Sequence, residues 1–307
     1  MSHLLVPKAR YHRSSGLSVP VGSRIIGVMS HAAISSTKPE VPFQPFHLVN
    51  EGAVGPVVLL CDHASNALPA EYGTLGLPPT DLERHIGWDV GAAEVTRRLA
   101  DLLQAPAVLS GFSRLLIDPN RAADDPTLVM KLSDGAIIPG NRHVTPDEVD
   151  RRRATCWQPY HDAVTAMIDR VVATGESPLV VSLHSFTPVW RGHPRPWHSG
   201  VLWDKDHRLP HALLSALRME PGMVVGDNEP YKGQLRGDTM YRHGTQRGLP
   251  HSIIEIRQDL IDTHGGAQEW AERLARILSN ILKTSPGINA VEYFGSHTDD
   301  QAKGAAQ

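Results

Sequence analysis

The sequence predicts a single α/β domain with a mixed or parallel sheet, and three observations carry that expectation. Short β-branched runs alternate with stretches of helical period along the body of the chain. The composition, 41% hydrophobic and 21% charged over 307 residues, suits a globular protein with a full core. No internal repeat and no linker divides the body.

The elements follow in order. Val57–Cys61 is a short apolar run that ends in Asp62-His63, and a loop rich in Pro and Gly continues through Pro79. A helix is expected over residues 82–103, where Val90, Ala93, Val95, Leu99 and Leu102 keep helical spacing and Thr80 or Asp81 offers an N-cap. Residues 107–109 and 115–117 read as strands. Residues 146–173 read as one long helix, because Trp157, His161, Val164, Ile168 and Val171 recur at three- and four-residue steps; Thr145 caps it, with Glu148 at the capping-box position. Residues 179–183 form a buried-type strand that runs directly into His184. Residues 201–203 and 223–225 read as strands around a helix over 207–217. Residues 252–256 form a further strand, and a helix over 267–283 closes the domain with Trp270, Leu274, Ile277, Leu278 and Ile281 on one stripe. Residues 226–244, rich in Gly and polar groups, suit a mobile loop over a substrate.

The ends differ from the body. No acidic residue precedes Glu40, while Lys8, Arg10, Arg13, Arg24 and Lys38 do. Residues 1–45 are therefore expected to be a disordered extension, either a transit peptide or an over-extended start with Met29 the true initiator. The body is expected over 46–284, with a loose tail over 285–307.

Charge and cysteine usage narrow the partners. Thirty Lys and Arg against 33 Asp and Glu give a net charge of −3, too little cationic surplus for phosphate backbones or anionic lipid. No apolar run is long enough to span a bilayer. Two cysteines without a C-x-x-C pair suit a reducing cytoplasm. A small-molecule substrate remains, with oligomeric state open.

In open α/β sheets, sites form where strands give way to loops. Three such places carry chemistry: Asp62 through Asn66 after the first strand, His184-Ser185-Phe186 after the 179–183 strand, and Glu255 with Arg257 on the 252–256 strand. Two imidazoles and a carboxylate delivered from sheet edges are the ingredients of a catalytic zinc site, which keeps three protein ligands and one open position. Taken singly, a His after a strand is more often a satisfied polar residue. Asp89 either favours the positive end of a helix or points into the site as the third ligand. Arg114 and Arg121 flank an apolar run with Asn120 and offer planar forks for a carboxylate; the plainer reading is a surface ion pair with Asp118 or Asp124. Tyr231 or His243 could contact a reacting group. Ser185 as a nucleophile lacks the G-x-S-x-G elbow.

Five segments together resemble the N-formylglutamate amidohydrolase family: Cys61-Asp62-His63-Ala64-Ser65-Asn66, His85-Ile86-Gly87-Trp88-Asp89-Val90-Gly91, Ser113-Arg114 through Asp118-Pro119-Asn120-Arg121, His184-Ser185-Phe186, and Glu255-Ile256-Arg257-Gln258-Asp259. Their order and spacing match from about residue 46 to 283. The resemblance, which extends to zinc carboxypeptidases and aspartoacylases, implies a three-layer α/β/α domain with a mixed, mostly parallel sheet of the phosphorylase/hydrolase-like kind. It implies hydrolysis of the N-formyl or related N-acyl amide of an acidic amino acid, with one Zn²⁺ per chain. His63 and His184 would be metal ligands and Glu255 the general base and acid. Arg114 would polarise the scissile carbonyl or bind a second carboxylate, and Asn120 and Arg121 would hold a substrate carboxylate. Asn66 and Tyr231 are further candidate substrate contacts. The carboxypeptidase pattern has a Glu three residues after its first His, where this chain has Asn66. Asp89 is then the candidate third ligand, with Asp62 or Asn66 as alternatives. Arg191 and Arg236 are candidates for a second carboxylate. A metallopeptidase or other N-deacylase on the same core, or a non-catalytic amino-acid-binding domain, are the competing readings.

Overall fold

A computed structural model describes residues 42–300, which belong to one compact unit. The extension expected over 1–45 lies outside the described residues as far as Val41, as do residues 301–307 of the expected tail. Eleven strands are described: β1 Phe46–Val49, β2 Val57–Cys61, β3 Ala107–Ser110, β4 Leu132–Ser133, β5 Ala136–Ile137, β6 Leu179–Phe186, β7 Val189–Trp190, β8 His193–Pro194, β9 Ser199–Leu202, β10 Val225–Asp227 and β11 His251–Arg257. The α-helices are α1 Pro79–Leu82, α2 Ala92–Leu103, α3 Pro146–Arg152, α4 Gln158–Val172, α5 Arg208–Arg218, α6 Thr239–His243 and α7 His264–Thr284.

Seven strands form one mixed sheet in the order β1-β3-β2-β6-β11-β9-β10. The central pairs β3-β2, β2-β6 and β6-β11 are parallel, as is β9-β10; β1-β3 and β11-β9 are antiparallel. The centre is buried on both faces, so its strands read as unbroken apolar runs. Val57, Leu59 and Cys61 of β2 pack with α2, α5 and α7, whereas Val58 and Leu60 point the other way, toward α4. This is the expected three-layer α/β/α domain. Among the described residues no helix is long and apolar enough to cross a membrane.

Several expected boundaries shift for identifiable reasons. The helix expected over 82–103 is broken: α1 ends at Leu82 and α2 starts at Ala92, after Gly91 at φ +81°. A Cβ on Gly91 would lie 2.3 Å from the Ile261 carbonyl oxygen. Between the two helices the chain turns Asp89 inward, its N–H donating to the His63 carbonyl at 2.9 Å. Residues 115–117 are fully buried but form no strand, because the Ser113 hydroxyl and carbonyl hold Leu115 and Leu116 in a turn. A short apolar run marks burial, not conformation; β1 occupies the edge beside β3 instead. The helix expected over 146–173 starts on Thr145, whose side chain accepts from Glu148 N–H, and then passes through a π-turn over 153–157. Pro159, which has no N–H to give the preceding turn, accounts for that widening.

The tail also departs from expectation. Residues 285–300 lie against the body: Ile288 and Ser296 are buried, Glu292 N–H donates to the Gly248 carbonyl at 2.8 Å, and the Phe294 ring meets His207 and Arg208. Within 226–244, expected to be a mobile loop, α6 carries buried Thr239, Met240 and His243.

The Gly91 conformation gives the first prediction. Gly91→Ala is expected to lose more than about 1 kcal/mol of stability, since the added methyl meets backbone and φ is positive; urea unfolding followed by circular dichroism checks this.

Candidate metal centre

The parallel strands deliver their polar residues at one end of the sheet. β2 ends at Cys61 and releases Asp62 and His63; β6 carries His184 near its end, and Glu255 of β11 is the cross-strand partner of His184. Ser182, His184 and Glu255 continue the face begun by Val180 and Ile253, on the α4 side. All four of Asp62, His63, His184 and Glu255 are buried.

His63, Asp89 and His184 converge, and each offers a ligand atom within 4.8 Å of the others. Asp89 Oδ2 is 3.0 Å from His184 Nδ1 and 3.4 Å from His63 Nδ1, and the two rings meet edge to face at 4.9 Å. The far nitrogen of each ring rests on a different carboxylate: His184 Nε2 on Asp62 at 2.9 Å, His63 Nε2 on Asp118 at 2.8 Å. An ionised carboxylate only accepts, so both Nε2 atoms donate, and in the neutral rings both Nδ1 lone pairs face Asp89. Three electron-rich atoms pointed at one spot, each ring backed by a carboxylate, fit a divalent cation.

The electrostatics agree. Burial opposes ionisation of Asp62, but hydrogen bonds and charge from His184 hold its carboxyl well below the usual carboxylate range. Asp89 and Asp118 are likewise held low against burial, Asp89 by His63 and His184, Asp118 by Arg114 and His63. His184 is pushed down by burial yet held well above the ordinary imidazole range by Asp62 and Asp89. Positive charge is thus favoured at the point where the three groups meet. Glu255 behaves oppositely: burial pushes its carboxyl up to about 7, with His184 pulling the other way. Its Oε2 is buried and has no hydrogen-bond partner among the described residues.

The cluster opens into a cavity of about 350 Å³. His63, Asp89, Arg114, Asn120, Arg121, His184, Tyr231 and Glu255 all line it, so most of the expected site residues are brought together. Arg114 is anchored by Nη2 on Asp118 at 2.9 Å, with Nη1 at 3.6 Å from Asp89 and Nε unpartnered. Asn120 is buried, and its Oδ1 accepts from Thr239 N–H. Arg121 donates to the Asn120 carbonyl and to Thr127, and forms no ion pair among the described residues.

Other expected positions are elsewhere. Asn66 does not line the cavity; its amide donates to the Leu82 carbonyl at 3.1 Å and secures the loop. Asp62 stands behind His184 instead of beside the triad. Arg191 lies over the Trp190 ring and Arg236 pairs with Asp124, both outside the cavity lining. His243 is buried against His161 at 2.9 Å, away from the cavity. Ser185 donates its hydroxyl to the Val90 carbonyl and accepts from Gln258, which leaves no base for a nucleophilic serine. Of the lining residues that the sequence reading does not propose as site residues, Lys232 and Trp190 bear on the chemistry. Lys232 is exposed at the cavity and makes no ion pair among the described residues; its only sequence signal is adjacency to Tyr231. Trp190 reaches the cavity from the β7-β8 hairpin.

The sequence pattern of the N-formylglutamate amidohydrolase family matches residues 55–262. The chain belongs to that family. Among solved structures, the gene product Atu2144 from Agrobacterium tumefaciens is 36% identical over 78% of this chain and 95% of its own, with a TM-score of 0.74. The N-formylglutamate amidohydrolase from Ralstonia eutropha JMP134 shares the fold at 24% identity over 78% of this chain and 97% of its own, with a TM-score of 0.54. No curated protein matches the chain in sequence. Every residue of the triad, with Glu255 and the Arg114–Arg121 segment, lies within the stretch that defines membership of this hydrolase family.

The role of Asp62 is testable through its partner. Asp62→Asn is expected to weaken divalent-metal affinity by roughly 10–100-fold while leaving the three ligands intact; competition with a chromogenic chelator measures this.

Proposed function

We propose that the protein is a zinc-dependent amidohydrolase that removes the N-formyl, or a related N-acyl, group of an acidic amino acid such as N-formylglutamate. The observation that carries this reading is the buried His63–Asp89–His184 convergence beside Glu255, a carboxylate that lines the same cavity and has a buried oxygen without a hydrogen-bond partner among the described residues. His63, Asp89 and His184 would hold one Zn²⁺ per chain. A divalent ion there supplies Lewis acidity, which lowers the pKa of water at the site and polarises a carbonyl.

The chain's own residues do the rest. Glu255 takes the proton of the attacking water and returns it to the amide nitrogen as the C–N bond breaks. The protonated amine is a far better leaving group than an amide anion, so water is added across the bond to give formate and the free amino acid. Arg114, locked on Asp118 and lining the cavity, would stabilise the negative charge that develops on the carbonyl oxygen. Among the described residues Arg121 and Lys232 have no carboxylate partner, and both line the cavity as cations for the two carboxylates of a glutamate-derived substrate. Two buried free thiols, Cys61 and Cys156, suit the reducing cytoplasm where we place the enzyme.

A screen of N-formyl, N-acetyl and N-succinyl amino acids with added Zn²⁺ tests this reading. Turnover is expected to be highest for N-formylglutamate, with formate released stoichiometrically and about one metal per chain by elemental analysis. Tight metal without any amide hydrolysis would overturn it, and so would full activity in metal-free protein.

Glu255→Gln is expected to keep its metal and lose about 10²–10⁴-fold in kcat. Because Glu255 must be ionised to accept a proton, kcat/KM should fall as pH drops through its pKa. Burial sets that value at about 7, and a cation at the triad draws it lower, so the acid limb is expected at or below pH 7. Arg121→Ala should raise KM at least tenfold without changing metal content, as steady-state kinetics and elemental analysis would show.

A further inference from the structure

Arg195, just after β8, sits in a box of aromatic rings. Its guanidinium carbon is 5.7 Å from the centroid of Phe186, 5.2 Å from Trp190 and 5.1 Å from Tyr231. It forms no ion pair among the described residues. Its Nη1 donates to the Tyr231 hydroxyl oxygen at 3.1 Å, and also approaches the carbonyl and hydroxyl of Thr187 at 3.4 and 3.3 Å. Trp190 and Tyr231 both line the cavity; Arg195 stands behind them.

This contact has only one polarity. Arginine carries five donors and no acceptor, so the phenol oxygen must accept, and the phenol proton must point elsewhere. No other hydrogen bond is formed by the Tyr231 hydroxyl among the described residues, and the cavity it lines also holds Arg114 and Glu255. Arg114 offers no acceptor, and the Glu255 carboxylate is engaged in proton transfer during turnover. We propose that Arg195 is a positioning residue: by occupying an acceptor site on the Tyr231 phenol, it commits the phenol proton to an oxygen of the bound N-acyl amino acid. The proposal rests on the hydrolase reading above.

The surroundings explain why an arginine serves here. Three rings hold the planar guanidinium by cation–π contact and fix its direction without neutralising it. The retained positive charge polarises the phenol and makes its O–H the stronger donor. A lysine would keep the charge but lose both the planar stacking and the fixed fork.

A double-mutant cycle with an independent optical readout tests the proposal. Arg195→Met and Tyr231→Phe are each expected to lower kcat/KM about tenfold, and the double variant no further than Tyr231→Phe alone, with metal content unchanged. Multiplicative losses in the double variant would overturn the proposal, as would wild-type kinetics in either single one. Alkaline absorbance titration identifies the Tyr231 transition as the one missing in Tyr231→Phe, a substitution at a partly exposed ring. In Arg195→Met that transition should move to higher pH because the cation no longer favours the phenolate, and an unmoved transition would also overturn the pairing. Arg195→Lys is expected not to restore kcat/KM; full rescue would show that charge alone matters. If the wild type hydrolyses no N-acyl amino acid while the Tyr231 transition still moves, the hydrolase reading fails and the Arg195–Tyr231 pairing stands.

Discussion

Two buried carboxylates, Asp62 and Asp118, decide where the imidazoles of His184 and His63 point. Asp62 accepts four hydrogen bonds: from Tyr160 at 2.8 Å, Ser182 at 2.7 Å, Thr239 at 2.7 Å and His184 at 2.9 Å. These donors come from α4, β6 and α6, so one side chain joins the sheet to two other elements at the cavity floor. Asp118 gathers His63, Arg114 and the Asn120 N–H in the same way. An unpaired carboxylate at such depth would be costly; a fully bonded one becomes a rigid anchor. With both Nε2 atoms spoken for, only Nδ1 is left on each ring, and both rings turn it toward Asp89.

The same arrangement gathers more negative than positive charge. Asp62, Asp89, Asp118 and Glu255 are all buried here, and Arg114 is the one arginine ion-paired to any of them among the described residues. In a low-dielectric interior that surplus favours cations and disfavours the last carboxylate to ionise. Asp89 lies between two imidazoles and stays ionised, while Glu255, whose Oε2 has no hydrogen-bond partner among the described residues, carries the raised pKa. Environment therefore separates two carboxylates that composition alone would treat as equivalent, one suited to hold a metal and the other to move a proton.

Around this floor the walls come from connections outside the main sheet. The β4-β5 hairpin contributes Ser133 and Asp134, the β7-β8 hairpin contributes Trp190, and the chain before α6 contributes Tyr231, Lys232 and Leu235. Asp134 is tied to Arg84 at 3.1 Å, which fastens one hairpin to the segment that also carries Asp89. Substrate choice in such a site rests on the walls, and bond cleavage rests on the floor.

The sequence by itself determined the layers and the places where chemistry could sit. Apolar runs at β2, β6 and β11 followed by His63, His184 and Glu255 are local signals, because a strand's period and its last polar residue are neighbours in the chain. Tertiary structure alone decided the rest. Asp89 became a member of the triad because Gly91 ends one conformation and begins another, a break hidden under continuous helical spacing. Asn66 and Asp62 are equally plausible ligands in sequence, yet one bonds the Leu82 carbonyl and the other lies behind His184. The direction of a side chain is set by partners such as Ser182 and Thr239, 120 and 177 residues from Asp62, and no local pattern encodes a contact over that separation.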